Sequence, residues 1–546
     1  MEALRESTFG QILRFVTSDR LFSHQDIAHR YEELLTELKS NNIEKEAGNG
    51  EYDSTTDLES AQPEVGLELE KPLTTTDDGT VLIGWYSNDD EGNPQNWSNM
   101  KKYLVGLLIC FTTFAFYLGS SIYTPAQAQL MEEFGASQPV ASLGMALYII
   151  GYGLGPMLWS PLSEIPSIGR TTIYVSTFAV FTILIIPTSL VQNLAGFLIL
   201  RFLLGFFGSP CLAIAGASFQ DIFPPSKVFY LVGTWAAMAS CAPALGPTLA
   251  AYSTPVYGWR WSQWELLWLA GPVLVILILV LPETSAATIL LRRARKLRKA
   301  TGNQSLRSQS EIDQAKLSVQ EVAFEALIKP WEINILDPAV LYTTLYTGLV
   351  YGIFYTYFEV FPLVYGDIYG FDIGGQSLTF LTVAIAQTVI PPIYFAYWKF
   401  VVEKRIAKHG MGPLEDFLIS ALAAGWLLPA GLFIFAFTSK ASIHWVVSLV
   451  GVGLSTGGIY IITNCLFLYV PMTYPKYAAS LLAANGLSRA LLAGAAILYA
   501  PPMFRAMGVS GGVSFLAALT IVCYGALFVL YFYGASLRAR SRFAVS

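Results

Sequence analysis

Three ionisable side chains stand inside long apolar runs of this 546-residue chain, which makes them candidates for chemistry. Arg201 interrupts Leu198-Ile-Leu-Arg-Phe-Leu-Leu, Glu359 sits in Tyr355-Thr-Tyr-Phe-Glu-Val-Phe, and Arg489 follows Asn485-Gly-Leu-Ser. In hydrocarbon such a group costs about 3 kcal/mol on insertion scales, so each calls for a partner or a job. Two readings stand open for each: an ion pair or hydrogen bond that fixes helix register, or a relay for protons or a substrate. A carboxyl held away from water can exchange its proton, whereas a guanidinium cannot lose one. Glu359 is the only carboxyl deep in an apolar run, since Glu164 and Asp221 lie at run ends and Glu265 opens one. Tyr351, Tyr355, Phe358 and Glu359 follow i, i+4, i+7 and i+8 and therefore share one helix face. An aromatic stripe of this kind is more often packing surface, but a carboxyl on it points to a cavity wall. Asn464 and Asn485, polar groups in two further apolar runs, join the stripe as candidate substrate contacts.

Other chemistries lack their residues. The five cysteines (Cys110, Cys211, Cys241, Cys465 and Cys523) all lie in apolar runs, with no CxxC among them. The four histidines are His24, His29, His409 and His444, so neither a disulfide framework nor a metal site is expected. A membrane-embedded transferase or hydrolase needs a nucleophile with its base, and no acid/histidine cluster supplies one. No GxxxxGK[ST] loop is present, so no nucleotide or other cofactor is expected to drive the protein.

The elements that must hold these residues follow from composition. The chain is 54% hydrophobic and 13% charged, with a mean hydropathy of +0.49. A soluble protein carries about 25% charged residues, so the soluble classes are excluded. Residues 1–100 hold 21 of the 39 acidic and 7 of the 33 basic residues, a net charge of −14, which leaves +8 for the rest. The low pI thus belongs to the tail, and no basic groove for nucleic acid is visible. Residues 1–40 carry apolar residues at helical spacing and predict an amphipathic helical segment; residues 41–100 read as a disordered acidic linker. Runs of about 20 apolar residues, each enough to cross a bilayer core of about 30 Å, then recur twelve times. Six lie within 101–282 and six within 339–535, separated by a central loop at 283–338 and followed by a tail at 536–546. The expectation is an all-α membrane protein of two six-helix bundles.

No apolar leader precedes the first run, so that run itself is expected to direct insertion. With the N-terminus inside, inner segments collect 28 Lys/Arg and outer loops three (Arg260, Lys440 and Arg505), which predicts both termini cytoplasmic. The sequons at Asn96 and Asn303 then face the cytoplasm and stay unglycosylated; glycan on either would overturn this topology. Gly151 and Gly155, and Gly453 and Gly457, are spaced for close helix approach, and Ala242-Pro-Ala-Leu-Gly-Pro247 predicts a kink or weak point.

Together these residues resemble the major facilitator superfamily, in particular the twelve-span drug:proton antiporter branch of fungi. Asn93-Pro-Gln-Asn-Trp-Ser98 is similar to that group's pre-membrane motif. Gly155-Pro-Met-Leu-Trp-Ser-Pro-Leu-Ser-Glu164 with Gly169-Arg170 resembles the loop between spans two and three. Here Ser160 replaces the leading Gly and Ile165 a basic residue, and Glu164 with Arg170 could supply the gating pair. Arg201-Phe-Leu-Leu-Gly205 resembles the span-four motif associated with proton coupling. Ala242 to Ala251 resembles the span-five antiporter motif, keeping Gly246-Pro247 and replacing the terminal Gly pair by Ala250-Ala251. Trp259-Arg-Trp261 and Pro282-Glu-Thr-Ser285 are also similar to the fungal multidrug subgroup.

The resemblance implies alternating access between two bundles with Arg201 in proton coupling; Glu359, by elimination among the carboxyls the candidate proton carrier or anchor for a cationic substrate, and Arg489 are the further coupling candidates. It also implies Glu164, Gly169, Arg170, Gly205, Gly246 and Pro247 as gating residues. The expected partners are a small lipophilic or amphiphilic substrate, protons and the lipid bilayer, with the proton gradient as energy source and a monomer sufficing. Sparse Asn, Gln and charged groups favour hydrophobic amphiphiles over sugars. Export of drugs or a fungal secondary metabolite at the plasma membrane leads; proton-coupled nutrient uptake, a non-transporting sensor and a vacuolar location stand as alternatives.

Overall fold

The apolar runs fold as helices that start at side chains able to close the first turn. Ser98 accepts from the Lys101 amide, Asn193 from Gly196, Asp337 from Ala339 and Val340, and Asp372 from Gly375. Pro210, Pro225 and Pro338 stand in first turns, where no amide donor is needed. The computed structural model describes residues 80–316, 328–410 and 412–543, with Leu73–Thr75, Ser7 and Gly10. The amphipathic segment predicted at 1–40 therefore lies, those two positions apart, outside the described residues.

Span one is Asn99–Ser121, span two Gln138–Glu164, span three Arg170–Leu190, span four Leu194–Ile222, span five Pro225–Tyr257 and span six Trp261–Val280. Spans seven to ten are Pro338–Ile368, Ile373–His409, Leu414–Thr438 and Trp445–Thr473. The last helix runs over Ala478–Arg540, 63 residues. At about 1.5 Å per residue that is about three times the bilayer core. Gly508, at φ 72° and ψ 166°, breaks it into spans eleven and twelve. The first six spans form one bundle and the last six the other. The face bearing the described chain ends is called terminal below, the opposite face distal.

Within each bundle, helices approach through glycines. Added Cβ atoms at Gly151 and Gly155 would overlap the Phe202 and Phe206 carbonyls, and one at Gly205 the Tyr148 carbonyl, so spans two and four touch backbone to backbone. Gly453 and Gly457 do not do this: their Cβ positions meet only Thr382 and Ile390 side chains. In span ten the close approach belongs to Gly451 and Gly458, which lie against Gly431 and Leu428 of span nine. Between bundles, span two packs on span eleven through Gly153 against Ala490 and Gly494 against Ile150. Span five meets span eight, with the Phe229 and Trp398 rings stacked at 3.9 Å and Thr248 donating to the Ser377 carbonyl at 2.9 Å.

The predicted linker is folded from residue 80 onward. Strand β1 (Leu73–Thr75) pairs antiparallel with β2 (Val81–Ile83), which pairs parallel with β3 (Leu306–Arg307) in the central loop. Arg293, on the loop helix Ala286–Thr301, holds the Asp90 carboxylate at 2.8 and 3.3 Å and faces the Trp85 and Tyr86 rings. Burial works against the charge on Asp90, but Arg293 and the Tyr86 and Gly92 amides outweigh it and hold the carboxyl below its usual range. The polar composition of this stretch masked a tertiary ion pair whose partner is 203 residues away.

The bend at Gly508 gives a test. At φ 72° and ψ 166°, a region essentially confined to glycine, a side chain costs about 1–3 kcal/mol, whereas Gly→Ala inside a helix gains about 0.5–1 kcal/mol. A Cβ added at Gly508 or at helical Gly525 would meet no neighbour within 4 Å, so only the backbone distinguishes the two positions. Gly508→Ala is expected to lower the melting temperature in nanodiscs while Gly525→Ala leaves it level or raises it; equal effects would contradict the bend.

Candidate functional site

Arg201 is completely buried and has no carboxylate partner among the described residues. Its Nη1 donates to the Gly119 carbonyl at 2.7 Å, Nη2 to Ser120 at 2.8 Å and Nε to Gly144 at 3.0 Å. Gly119 and Ser120 belong to the last turn of span one, whose terminal carbonyls have no helical partner and carry the negative end of the helix dipole. The guanidinium therefore caps span one while joining it to spans two and four. The Tyr123 and Tyr148 rings each lie 4.6 Å from the guanidinium carbon. A Cβ at Gly119 would crowd the Tyr148 hydroxyl, and one at Gly144 the Tyr123 hydroxyl, so these glycines supply both acceptor and room.

Glu359 is 5% exposed and accepts a hydrogen bond from Ser142 Oγ at 3.1 Å, which ties span seven to span two across the two bundles. Among the described residues Glu359 forms no ion pair, with Arg489 or any other cation. Beside this bond lies a hydroxyl cluster: Tyr152 meets Tyr351 at 2.5 Å and Tyr355 at 3.2 Å, and Tyr351 donates to Tyr117 at 3.3 Å. The stripe on span seven thus does face the seam between the bundles. Phe358 is the exception: its ring stacks on Phe380 of span eight at 4.8 Å, inside its own bundle. Tyr117, Tyr152 and Ser142 were not singled out from sequence, because tyrosine and serine are unremarkable in apolar helices until a partner faces them.

Arg489 stands in span eleven with its guanidinium 4.7 Å from the Phe467 ring and 5.1 Å from Tyr351. Among the described residues it has no ion pair or hydrogen bond, and its Nε is buried without an acceptor. Asn485 donates to Thr347 at 2.9 Å and Thr344 at 3.4 Å, and Asn464 to its own helix at Tyr460, so both amides are held within the second bundle.

The loop between spans two and three carries a second network, on the terminal face. Arg170 pairs with Asp221 at 2.8 Å, and not with Glu164, which is exposed and joins no ion pair among the described residues. The Arg170 amide donates to Glu283 at 3.1 Å, and Arg292 lies 3.5 Å from the same carboxylate. Gly169 is doubly required: its φ is +80°, and a Cβ would strike Glu283. On the distal side, Gly246 lies against the end of span one, where a Cβ would meet Ser121 Oγ. Pro247 cannot donate to the Pro243 carbonyl one turn earlier, and Ser121 Oγ donates to it instead at 2.6 Å. Span five remains helical throughout, so the predicted weak point is a backbone site capped by a neighbour.

Two six-helix bundles, closely packed within and joined by a polar seam, define a polytopic membrane carrier. The chain matches the Major Facilitator Superfamily model over residues 109–498. It is 45% identical over 487 residues to the MFS-type transporter pyvG of Aspergillus violaceofuscus, with 89% of each chain covered. It is 33% identical over 556 residues to the cycloheximide resistance protein of Candida maltosa, with 99% of each covered. In fold it is similar to the xylose transporter XylE from E. coli, at a TM-score of 0.55 and 14% identity, covering 79% of this chain and 98% of that one. The chain belongs to the Major Facilitator Superfamily.

Removing Arg201 would leave three buried carbonyl acceptors without their donor. Arg201→Ala is expected to insert in the membrane yet lose about 3 kcal/mol of stability and all transport. Lysine keeps the charge without the planar fork and rescues in part. Thermal melting and substrate transport at equal surface abundance check this; an alanine variant with full activity would refute the role.

Proposed function

We propose that the protein exports lipophilic or amphiphilic small molecules, drugs or a secondary metabolite, across the plasma membrane in exchange for protons. Support for the substrate class comes from the relatives, among them the cycloheximide resistance protein and the fluconazole resistance protein 1 of Saccharomyces cerevisiae. The tyrosine rings that carry the seam's hydroxyls, Tyr117, Tyr152, Tyr351 and Tyr355, agree with it. The basic inner segments support cytoplasmic termini, which puts the distal face outside. One chain contains both bundles, so a monomer suffices, with no cofactor.

The observation that carries the coupling is the Ser142–Glu359 bond. Glu359 is the one carboxyl deep in a span, and its hydrogen bond is a direct polar tie between the bundles. A proton gained or lost there changes the charge and hydrogen-bonding capacity of that tie, so it biases one bundle arrangement against the other. Near the same face Arg505 donates to Gln138, and the two contacts together hold the outer ends of spans two, seven and eleven. On the inner side, the Arg170–Asp221 and Glu283–Arg292 pairs set how the first bundle's loops meet the central loop.

Glu359→Gln keeps shape and most hydrogen bonding while fixing the charge at zero. The variant is expected to bind substrate as the parent does and to lose uphill, pH-dependent export, measured as substrate accumulation in cells with and without an uncoupler. Parental pH dependence in the variant would remove Glu359 from the coupling. Higher accumulation in expressing cells than in controls would replace export by uptake.

A further inference from the structure

Of the two arginines deep in the spans, Arg201 and Arg489, only one has its needs met. Arg201 uses three carbonyls and two ring faces. Arg489 has the two ring faces, Phe467 and Tyr351, and no acceptor among the described residues. Among the described residues no carboxylate pairs with Arg489: Glu359 is held by Ser142, Asp221 and Glu283 by Arg170 and Arg292, Glu415 by Arg538, and Glu403 by Tyr230. A guanidinium with five donors and no acceptor, set deep in a span, lacks an anion that the chain does not supply.

We propose that Arg489 is the anchor for an anionic group on the transported amphiphile, a carboxylate or phenolate, with the Tyr351 and Phe467 rings flanking it. This rests on the export reading above and names the substrate class for it. The planar fork of arginine matches a carboxylate with two parallel hydrogen bonds, a geometry an ammonium cannot offer. Phe467 and Tyr351 are both half-buried, and Tyr351 stands on the seam. Tyr351 belongs to the cross-bundle hydroxyl cluster with Tyr117 and Tyr152, which places the anion site next to contacts that must break when the bundles separate. The lipophilic remainder of the substrate would lie along the aromatic seam. Neutral compounds with the same body leave the arginine unpaired and bind less well.

The test uses purified full-length protein in nanodiscs and a matched pair of probes, pyrenebutyrate and its neutral N-methylamide, titrated by calorimetry. The wild type is expected to bind the acid at least tenfold more tightly than the amide. Arg489→Gln should erase that difference by weakening the acid alone, and Arg489→Lys should restore it in part. Retained amide affinity shows that the glutamine variant is folded. Equal binding of acid and amide by the wild type, a preference that survives in Arg489→Gln, or loss of both ligands in the glutamine variant would overturn the assignment. Export is read separately, as resistance of an efflux-deficient yeast to a drug panel. If expression protects against nothing while the Arg489-dependent preference for the acid holds, the export reading fails and the anion site stands as a site.

Discussion

The bilayer core provides no water, so every charge and free carbonyl in the spans must be satisfied by the protein itself. Arg201 meets that constraint for the first bundle. Its guanidinium takes the free carbonyls at the end of span one, adds one from span two and stands on span four, so three helices are fixed at one point. The glycines around it serve the same end. Gly119 and Gly144 make space for the two tyrosines, and Gly205 lets span four reach the Tyr148 backbone. Since the charge is balanced by carbonyls and rings, no carboxylate is consumed, and Glu359 is left to the other bundle.

Contacts inside the bundles and contacts between them differ in kind. Inside, glycines bring backbones together, as Gly151 does against Phe202 and Gly451 against Gly431, and such packing admits no small adjustment. Between them, the seam adds polar ties such as the hydroxyl pair Tyr152–Tyr351, the hydroxyl–carboxyl bond Ser142–Glu359 and the hydroxyl–carbonyl bond Thr248–Ser377. Those groups can exchange a protein partner for water or substrate with little net change in hydrogen bonding. A stiff interior and an exchangeable seam are what two bundles need in order to move as bodies past a bound molecule.

Much of this was legible in the sequence, for physical reasons. A bilayer demands runs of a set length, so the twelve spans show in composition alone, even where spans eleven and twelve follow one another directly across the break at Gly508. A charge in such a run is conspicuous, and Arg201 and Glu359 were found that way. Their partners were not. Backbone carbonyls at Gly119 and Ser120 leave no mark in a side-chain pattern, and Ser142 looks like any small residue in a helix. Arg170 was matched to the nearest acid in sequence, Glu164, whereas the fold turns it to Asp221, 51 positions on. Glycine spacing marked a close approach at Gly151 and Gly155, without naming the helix that meets them. It missed in span ten, because Gly453 and Gly457 share the spacing but face side chains, not backbone. Which way a helix face turns depends on the neighbour, and the neighbour is not written in the run.

We propose that the charge on Glu359 governs closure of the outer side of the seam. Spin labels at exposed Ser137 and Met507, on the outer ends of spans two and eleven, report that closure as a distance distribution by pulsed electron resonance. In wild-type protein the balance between a short and a long distance is expected to shift as pH is taken from 5 to 8, and in Glu359→Gln to stay fixed. A distribution that ignores pH in the wild type, or that shifts equally in the glutamine variant, would contradict the account.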